Sequence, residues 1–289
     1  MVDIRSVWAS TNIRFRKLIG SRKSAVLLGC QLIFCYYVFI PMTQMTIAYG
    51  ERIPPVAFVF YLSFYRMLVL HGAMTIFLFS DLLEPDSYSL WQTIRMGKKN
   101  YILGQIVYIY LISLIYMFVL FLFSLLMTLP VLGPVSEWGK MMFTMAENLG
   151  GMVETTGIMV SYSINTMILD AMTPMEALSC SMLLLWLTSS FVGITILFFT
   201  VFFRRPVGIM ITGIMVSMTV FAMFAGLITI GRWLIYISPL SWSYIGLLDL
   251  YKSGNWPTIW YAVLVLLVGG LIMSGASVIR FGKCDVKGQ

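Results

Sequence analysis

The sequence predicts an all-α polytopic membrane protein: six transmembrane helices, an N-terminal amphipathic interfacial helix and a re-entrant or broken extracellular segment before the last helix. Composition is the first ground for this. Of 289 residues, 60% are hydrophobic and 11% charged, where soluble domains carry about 25% charged residues, and the mean hydropathy is +0.90. The second ground is the length of the apolar runs. In lipid the backbone must satisfy its polar groups internally, which leaves helices or a closed barrel. These runs are long and continuous, whereas barrel strands alternate over about ten residues. The third ground is the placing of the basic residues, taken up below.

Residues 1–24 form no span. Ile4, Trp8, Phe15 and Ile19 recur at near-helical spacing, with Arg5, Arg16 and Lys17 off that stripe. The pattern fits a cytoplasmic helix lying in the membrane interface; a disordered basic tail is the alternative. The first apolar run starts near Ala25 behind this polar stretch and lacks a small-x-small cleavage site, so it reads as a retained anchor. Spans are expected near 25–45, 55–79, 101–129, 175–203, 207–229 and 258–280, each long enough for a core of about 30 Å. Arg204, Arg205 and Pro206 come directly before the fifth and call for a tight hairpin, because Pro does not continue a helix interior. Residues 25–280 thus form one membrane domain and 281–289 a short basic cytoplasmic tail. No internal repeat or soluble domain is visible.

With the N-terminus placed inside, the inner segments hold fourteen of the nineteen Lys and Arg residues, the outer segments hold four (Arg52, Lys140, Arg232, Lys252), and Arg66 lies within a span. Every inner segment contributes, so both termini are expected on the cytoplasmic side. The net charge of +7 then matches the anionic inner leaflet and requires no nucleic acid.

Two outer segments exceed simple turns. Residues 130–174 carry Glu137, Glu147, Glu154 and Asp170 among apolar residues and read as surface or partly embedded helices. Residues 230–257 are apolar but interrupted by Pro239, Gly246, Gly254 and Pro257, and they concentrate Trp233, Tyr236, Trp242, Tyr244, Tyr251 and Trp256. Aromatic belts of this kind sit at the membrane boundary. A broken apolar segment that does not cross must pack on protein.

Known catalytic patterns are missing. There is no G-x-x-x-x-G-K-[ST], a single histidine rules out His-rich metal sites and H-E-x-x-H, and the twelve acids fall in loops or at span ends. Cys30, Cys35 and Cys180 lie in apolar runs and Cys284 in the basic tail, with no metal-site spacing; they read as small buried residues. Two ionisable residues lie in the second span. A charge at mid-bilayer costs at least about 2.5–3.5 kcal/mol, so Arg66 either lines a translocation path or bonds to backbone carbonyls and snorkels. His71 is the second path candidate, against a reading as a packed neutral histidine.

The cytoplasmic stretch "DSYSLWQTIRMGKKN" at 86–100 has its own logic. Asp86 or Ser87 can cap a helix start. Gly97 can close the helix, with Lys98 and Lys99 beside its negative pole. A helix of about 86–97 is too short to be stable alone in water, so its apolar face, with Leu90 and Ile94 four apart and Trp91 and Met96 beside them, lies on the bilayer or docks into another protein.

Taken together, an amphipathic N-terminal helix, a cytoplasmic helix ending in "RMGKKNYILGQ" between the second and third spans, six spans, a broken outer segment "SPLSW" before the last span and a basic tail resemble the transmembrane subunit of ABC-2-type ABC transporters, the type V exporter class. The likeness covers nearly the whole chain. Arg66 and 130–174 have no counterpart among its features. The resemblance implies that the 86–97 helix is a coupling helix whose Tyr88, Leu90, Trp91, Ile94 and Arg95 dock into a separate ATPase subunit. It also implies that ATP and Mg bind that partner and not this chain, which is no enzyme itself, and that a second permease chain, identical or related, completes the path. The setting it implies is a plasma membrane, the inner or cell membrane of a bacterium. The expected function is export driven by the partner, of a peptide, drug or other amphipathic cargo. A polysaccharide- or lipid-exporting permease and a non-transporting sensor or immunity protein are the alternatives.

Overall fold

A computed structural model of the chain describes residues 2–83, 87–160, 162–203, 205–225 and 229–283. About 80% of the chain is helical and no strand occurs among the described residues. In chain order the helices are α1 (Ile4–Ile19), α2 (Arg22–Ala48), α3 (Tyr65–Phe79), α4 (Ser87–Met96), α5 (Lys98–Thr128) and α6 (Gly139–Glu147), followed by α7 (Leu149–Thr156), α8 (Thr166–Ala171), α9 (Pro174–Phe202), α10 (Arg205–Ala225), α11 (Thr229–Ile237) and α12 (Ile259–Lys283). Four of them, α2, α5, α9 and α12, are long and apolar enough to cross a membrane, and Tyr65–Phe79 and Val207–Met223 are shorter apolar helices. The chain is a membrane-associated helical protein.

α9 is the hub. It packs against α12, α10, α5 and α3, and Gly193 sets its closest approach: a Cβ there would lie 2.7 Å from Ile109 Cγ2 and 2.9 Å from Phe79 Cε2. Its start is fixed by a capping box, in which the Glu176 amide donates to Thr173 Oγ1 at 3.4 Å and the Thr173 amide to Glu176 Oε2 at 2.9 Å, with Pro174 in the first turn. α9 ends at Phe202, α10 starts at Arg205 and the two pack together; Arg204, the first residue of the expected hairpin signal, lies outside the described residues.

The second expected span, 55–79, is not one helix. Residues Ala57–Phe60 form a 3₁₀ turn, 61–64 form turns and bends, and only Tyr65–Phe79 is α-helical. Pro54 and Pro55 supply no amide donors, and the aromatic and β-branched residues that follow gain little from a helix. They gain more from ring packing, with Phe58 against Tyr61 and Phe121, Tyr61 against Phe39 and Phe60 against Trp138. The irregular stretch is buried from Ile53 to Leu62, Pro55 excepted as half-buried. Its backbone is partly satisfied by pairing of Ile53 with Val131 and Gly133 (2.9 and 2.8 Å) and by short-range turns at Val59, Tyr61 and Ser63. Non-helical backbone at membrane depth requires this protein cover.

The 130–174 segment folds into α6, α7 and α8, with Met141, Met142, Met145 and Met152 buried beneath them. Trp138 pins it by donating from Nε1 to the Met172 carbonyl at 2.8 Å. In the 230–257 segment, α11 runs back along α10, and 3₁₀ turns follow at Pro239–Ser243 and Ile245–Leu247. Leu240, Ser241, Trp242 and Ser243 are buried between α9, α10, α12 and α3. Trp242 Nε1 donates to the Ile235 carbonyl at 2.7 Å and Ser238 Oγ pairs with Thr219 Oγ1 at 2.7 Å. Asp249 closes the loop beyond. Partial burial opposes its ionisation, but the amides of Ser253 and Gly254 at 2.9 and 2.7 Å outweigh that and hold its carboxyl below the usual range.

Candidate functional site

Two sites follow from the placement of polar and aromatic side chains. The first is a foot built from α1, α4 and the first turns of α5. α1 presents its small polar face inward: Ser10, Thr11 and Arg14 are buried, while Ile4, Trp8 and Ile19 are 82%, 60% and 74% exposed. Gly104 permits this close crossing, since a Cβ there would overlap the Ser10 side chain and lie 2.9 Å from the Val7 carbonyl oxygen. Ser10 and Thr11 hydroxyls donate to the carbonyls of Tyr101 and Gly104 at 3.3 and 3.0 Å. Arg14 donates to the Tyr101 hydroxyl at 2.9 Å and the Asp81 carbonyl at 3.4 Å. Phe15, the third residue of the apolar stripe, instead packs edge-on to Tyr108. Asp3 caps α1 through the amides of Arg5 and Ser6 and the Ser6 hydroxyl, and that hydroxyl and those amides hold its carboxyl below its usual value.

α4 joins this frame through two residues. Asn100 Nδ2 donates to the Met96 carbonyl at 2.9 Å, while its Oδ1 accepts the Asp3 amide at 3.2 Å. Gly97, with φ +83°, makes the break between α4 and α5, a conformation that a residue with a Cβ adopts at a cost. On α4, Thr93 is buried, whereas Trp91, Ile94 and Arg95 are exposed on one helical face, Trp91 and Ile94 by 73% and 68%. The side chains of Tyr88 and Leu90 lie outside the described residues, as do Pro85 and Asp86. Behind the foot, Lys23 forms an ion pair with Asp81 Oδ2 at 2.8 Å and donates to Ser80 Oγ at 2.9 Å, tying α2 to the end of α3.

The second site holds Arg66. It is the second residue of α3, so it lies at a helix start inside the expected span. It is exposed, its Nε donates to the Tyr65 hydroxyl at 3.2 Å, and its guanidinium lies 5.2 Å from the Phe64 ring centre and 5.7 Å from that of Tyr65. Tyr37, also exposed, lies on the neighbouring α2. His71 is placed differently. It is buried, Nε2 lies 3.3 Å from Ser189 Oγ, and its ring is 5.6 Å from that of Tyr116. Arg66 is thus set on the surface and His71 in the packed core between α3, α5 and α9. Asn100, Gly104, Ser10, Thr11, Arg14 and Asp81 build the foot without having been singled out in the sequence. The only hint was the glycine in "NYILGQ", four residues beyond Asn100.

No family model, curated protein or solved structure matches this chain.

Proposed function

We propose that this chain is the membrane subunit of an ABC exporter of the ABC-2 kind, crossing the membrane six times with both termini in the cytoplasm. α4 is its coupling helix, and a separate ATPase subunit supplies ATP, Mg and the driving force. Two such chains enclose the path, and the cargo is amphipathic. The observation that supports this most is α4 itself. A Trp and an Ile stand exposed beside Arg95 on a ten-residue helix, while Thr93 on the other side is buried, the helix packs against α1 and α5, and Asn100 of α5 bonds its last turn. An apolar anchor on a braced mount transmits force; the same helix on a loose tether would not. Nucleotide-driven closure of the ATPases would push α4, and Asn100 and the α1–α5 crossing would pass that displacement to α5.

The test is capture from mild detergent. Tagged protein is expected to retain an ATPase subunit, and Trp91→Asp to weaken that capture. Loss of one buried aromatic anchor removes about 2 kcal/mol or more, roughly 30-fold in affinity. Absence of any ATPase with the unaltered chain, together with no effect of Trp91→Asp, would leave α4 a helix that rests on the bilayer and would overturn the exporter reading.

A further inference from the structure

The depth of Arg66 can be counted from two directions. Lys23 and Asp81 form an ion pair, which sets α2 and α3 level at one end. Fourteen residues up α2 lead to Tyr37 and fifteen back along the chain from Asp81 lead to Arg66. At 1.5 Å per residue both climb roughly 20 Å, which sets Tyr37 and Arg66 at one level. In a hydrocarbon layer of about 30 Å this is well inside from either surface. Pro41 adds to the polarity there, since it has no N–H to offer the Tyr37 carbonyl one turn below.

The face around Arg66 carries polar groups among apolar ones. α12 exposes Leu264, Leu271, Ile272 and Ile279, as a helix against acyl chains does. The α2–α3 face exposes Tyr36, Tyr37, Gln44 and Arg66 together with Ile33 and Ile47. A cation at this depth requires an anion or water. No carboxylate pairs with Arg66 among the described residues, and the nine described acids lie in loops, short helices, the cap of α1 or the first turn of α9. The described residues therefore bring no carboxylate to this level, from this copy or a second, and an anion bound here comes from a ligand. The planar guanidinium matches the oxygens of a phosphate or carboxylate in a bidentate manner, and the Phe64, Tyr65, Tyr36 and Tyr37 rings offer apolar contact to a tail.

We infer that Arg66, with Tyr37 and Tyr65, binds the anionic head, phosphate or carboxylate, of an amphipathic molecule that reaches it within the membrane. Calling that molecule cargo rests on the exporter reading; the binding itself does not.

The experiment uses the full chain in nanodiscs of zwitterionic lipid, with its cysteines replaced and an environment-sensitive fluorophore on a cysteine at Gln44, titrated with dodecyl phosphate, dodecanoate, dodecyltrimethylammonium and inorganic phosphate. The expected result is a saturable response to either anionic amphiphile and none to the cationic one or to inorganic phosphate; which anionic head binds tighter distinguishes phosphate from carboxylate. Arg66→Leu is expected to weaken binding about tenfold or more, with Arg66→Lys between. Tyr37→Phe, which removes one hydroxyl, serves where Arg66→Leu fails to fold and is expected to weaken binding a few-fold. Equal binding by a folded Arg66→Leu variant, equal response to the cationic amphiphile, competition by inorganic phosphate alone, or no response because another copy covers the face would each overturn the assignment. ATPase capture plays no part in this assay, so the exporter reading and this site fail independently.

Discussion

At the residue scale, the foot depends on how closely α1 approaches α5, and Gly104 is the control point. A methyl group there meets Ser10 and, at 2.9 Å, the backbone oxygen of Val7. A backbone atom in a bonded helix does not swing aside as a side-chain tip does, so α1 must shift and its two hydroxyl bonds to α5 lengthen. Gly104→Ala is expected to destabilise by about 1–3 kcal/mol, the usual cost of overpacking. It would be read as a lower thermal midpoint in detergent and, on the exporter proposal, a weaker capture of an ATPase subunit. Gly29→Ala is the matched comparison. Nothing lies within 4 Å of its added methyl, and alanine is up to about 1 kcal/mol better than glycine in a helix, so its midpoint is expected to stay level or rise. Equal behaviour of the two variants would show that the crossing is looser than its geometry. Asn100 belongs to the same scale: one side chain bonds the end of α4 and the start of α1, so its amide couples two elements that a sequence reading treats as separate.

At the element scale, α1 is turned opposite to a helix on a soluble core. Its hydroxyls and Arg14 face protein, and most of its apolar stripe faces out. This suits the membrane interface, where the outward surface is acyl chain and headgroup. An environment-sensitive label at Trp8 is expected to report an apolar setting in liposomes, and one at Lys17 a more polar setting; a polar reading at Trp8 would place α1 off the membrane. Acid adds a second check. The Asp3 cap has a depressed carboxyl pKa, so its contribution is present above the unfolded value and is lost as pH falls through the folded value, below the ordinary 3.8. Loosening of α1 at that pH, followed by the mobility of a label on α1, is expected in the unaltered chain and not in Asp3→Asn, which caps at any pH.

The stripe Ile4, Trp8, Phe15, Ile19 was legible because periodicity survives in any surroundings. The burial of Ser10 and Thr11 was not, because small polar residues that bond a neighbouring helix look like surface residues until the neighbour is known. The second run failed for a related reason. Hydropathy registers that Pro54–Phe64 leaves water, yet it does not register whether the backbone bonds as a helix or is shielded by rings. The runs behind α2, α5, α9 and α12 were legible because length and composition together leave few other folds. Their ends moved by up to three residues, as at α2 and α12, where basic residues extend the helices past the apolar run. The side chains of Tyr88 and Leu90 lie outside the described residues, so Trp91, Ile94 and Arg95 carry the argument for the α4 face.

At the scale of the whole molecule, what matters is which end of the bundle faces the cytoplasm. The foot, the Lys23–Asp81 tie and the Arg280 and Lys283 end of α12 gather at one end; Tyr101 stacks on Phe281, which joins the start of α5 to that end of α12. The methionine-filled cap of α6, α7 and α8 gathers at the other, held to the C-terminal end of α2 by the Tyr49–Thr155 hydroxyl pair at 2.8 Å. On the proposed topology, Lys and Arg retained on the inner side during insertion put the foot in the cytoplasm and the cap outside, with α3 and α10 completing the six proposed crossings. Single cysteines at Lys17 and Arg95 are expected to react with a membrane-impermeant maleimide only after the cell is opened, and those at Glu137 and Lys252 in intact cells. Labelling of Arg95 from outside would remove the foot from the compartment where ATP is hydrolysed, and no ATPase in the cytosol would have a surface to grip. Inner labelling of Glu137 with Arg95 also inside would instead make α5 turn back without crossing, although its 31 residues climb about 46 Å at 1.5 Å each, more than the hydrocarbon layer is thick. The expected pattern is the one in which both the charge bias and the length of α5 are satisfied.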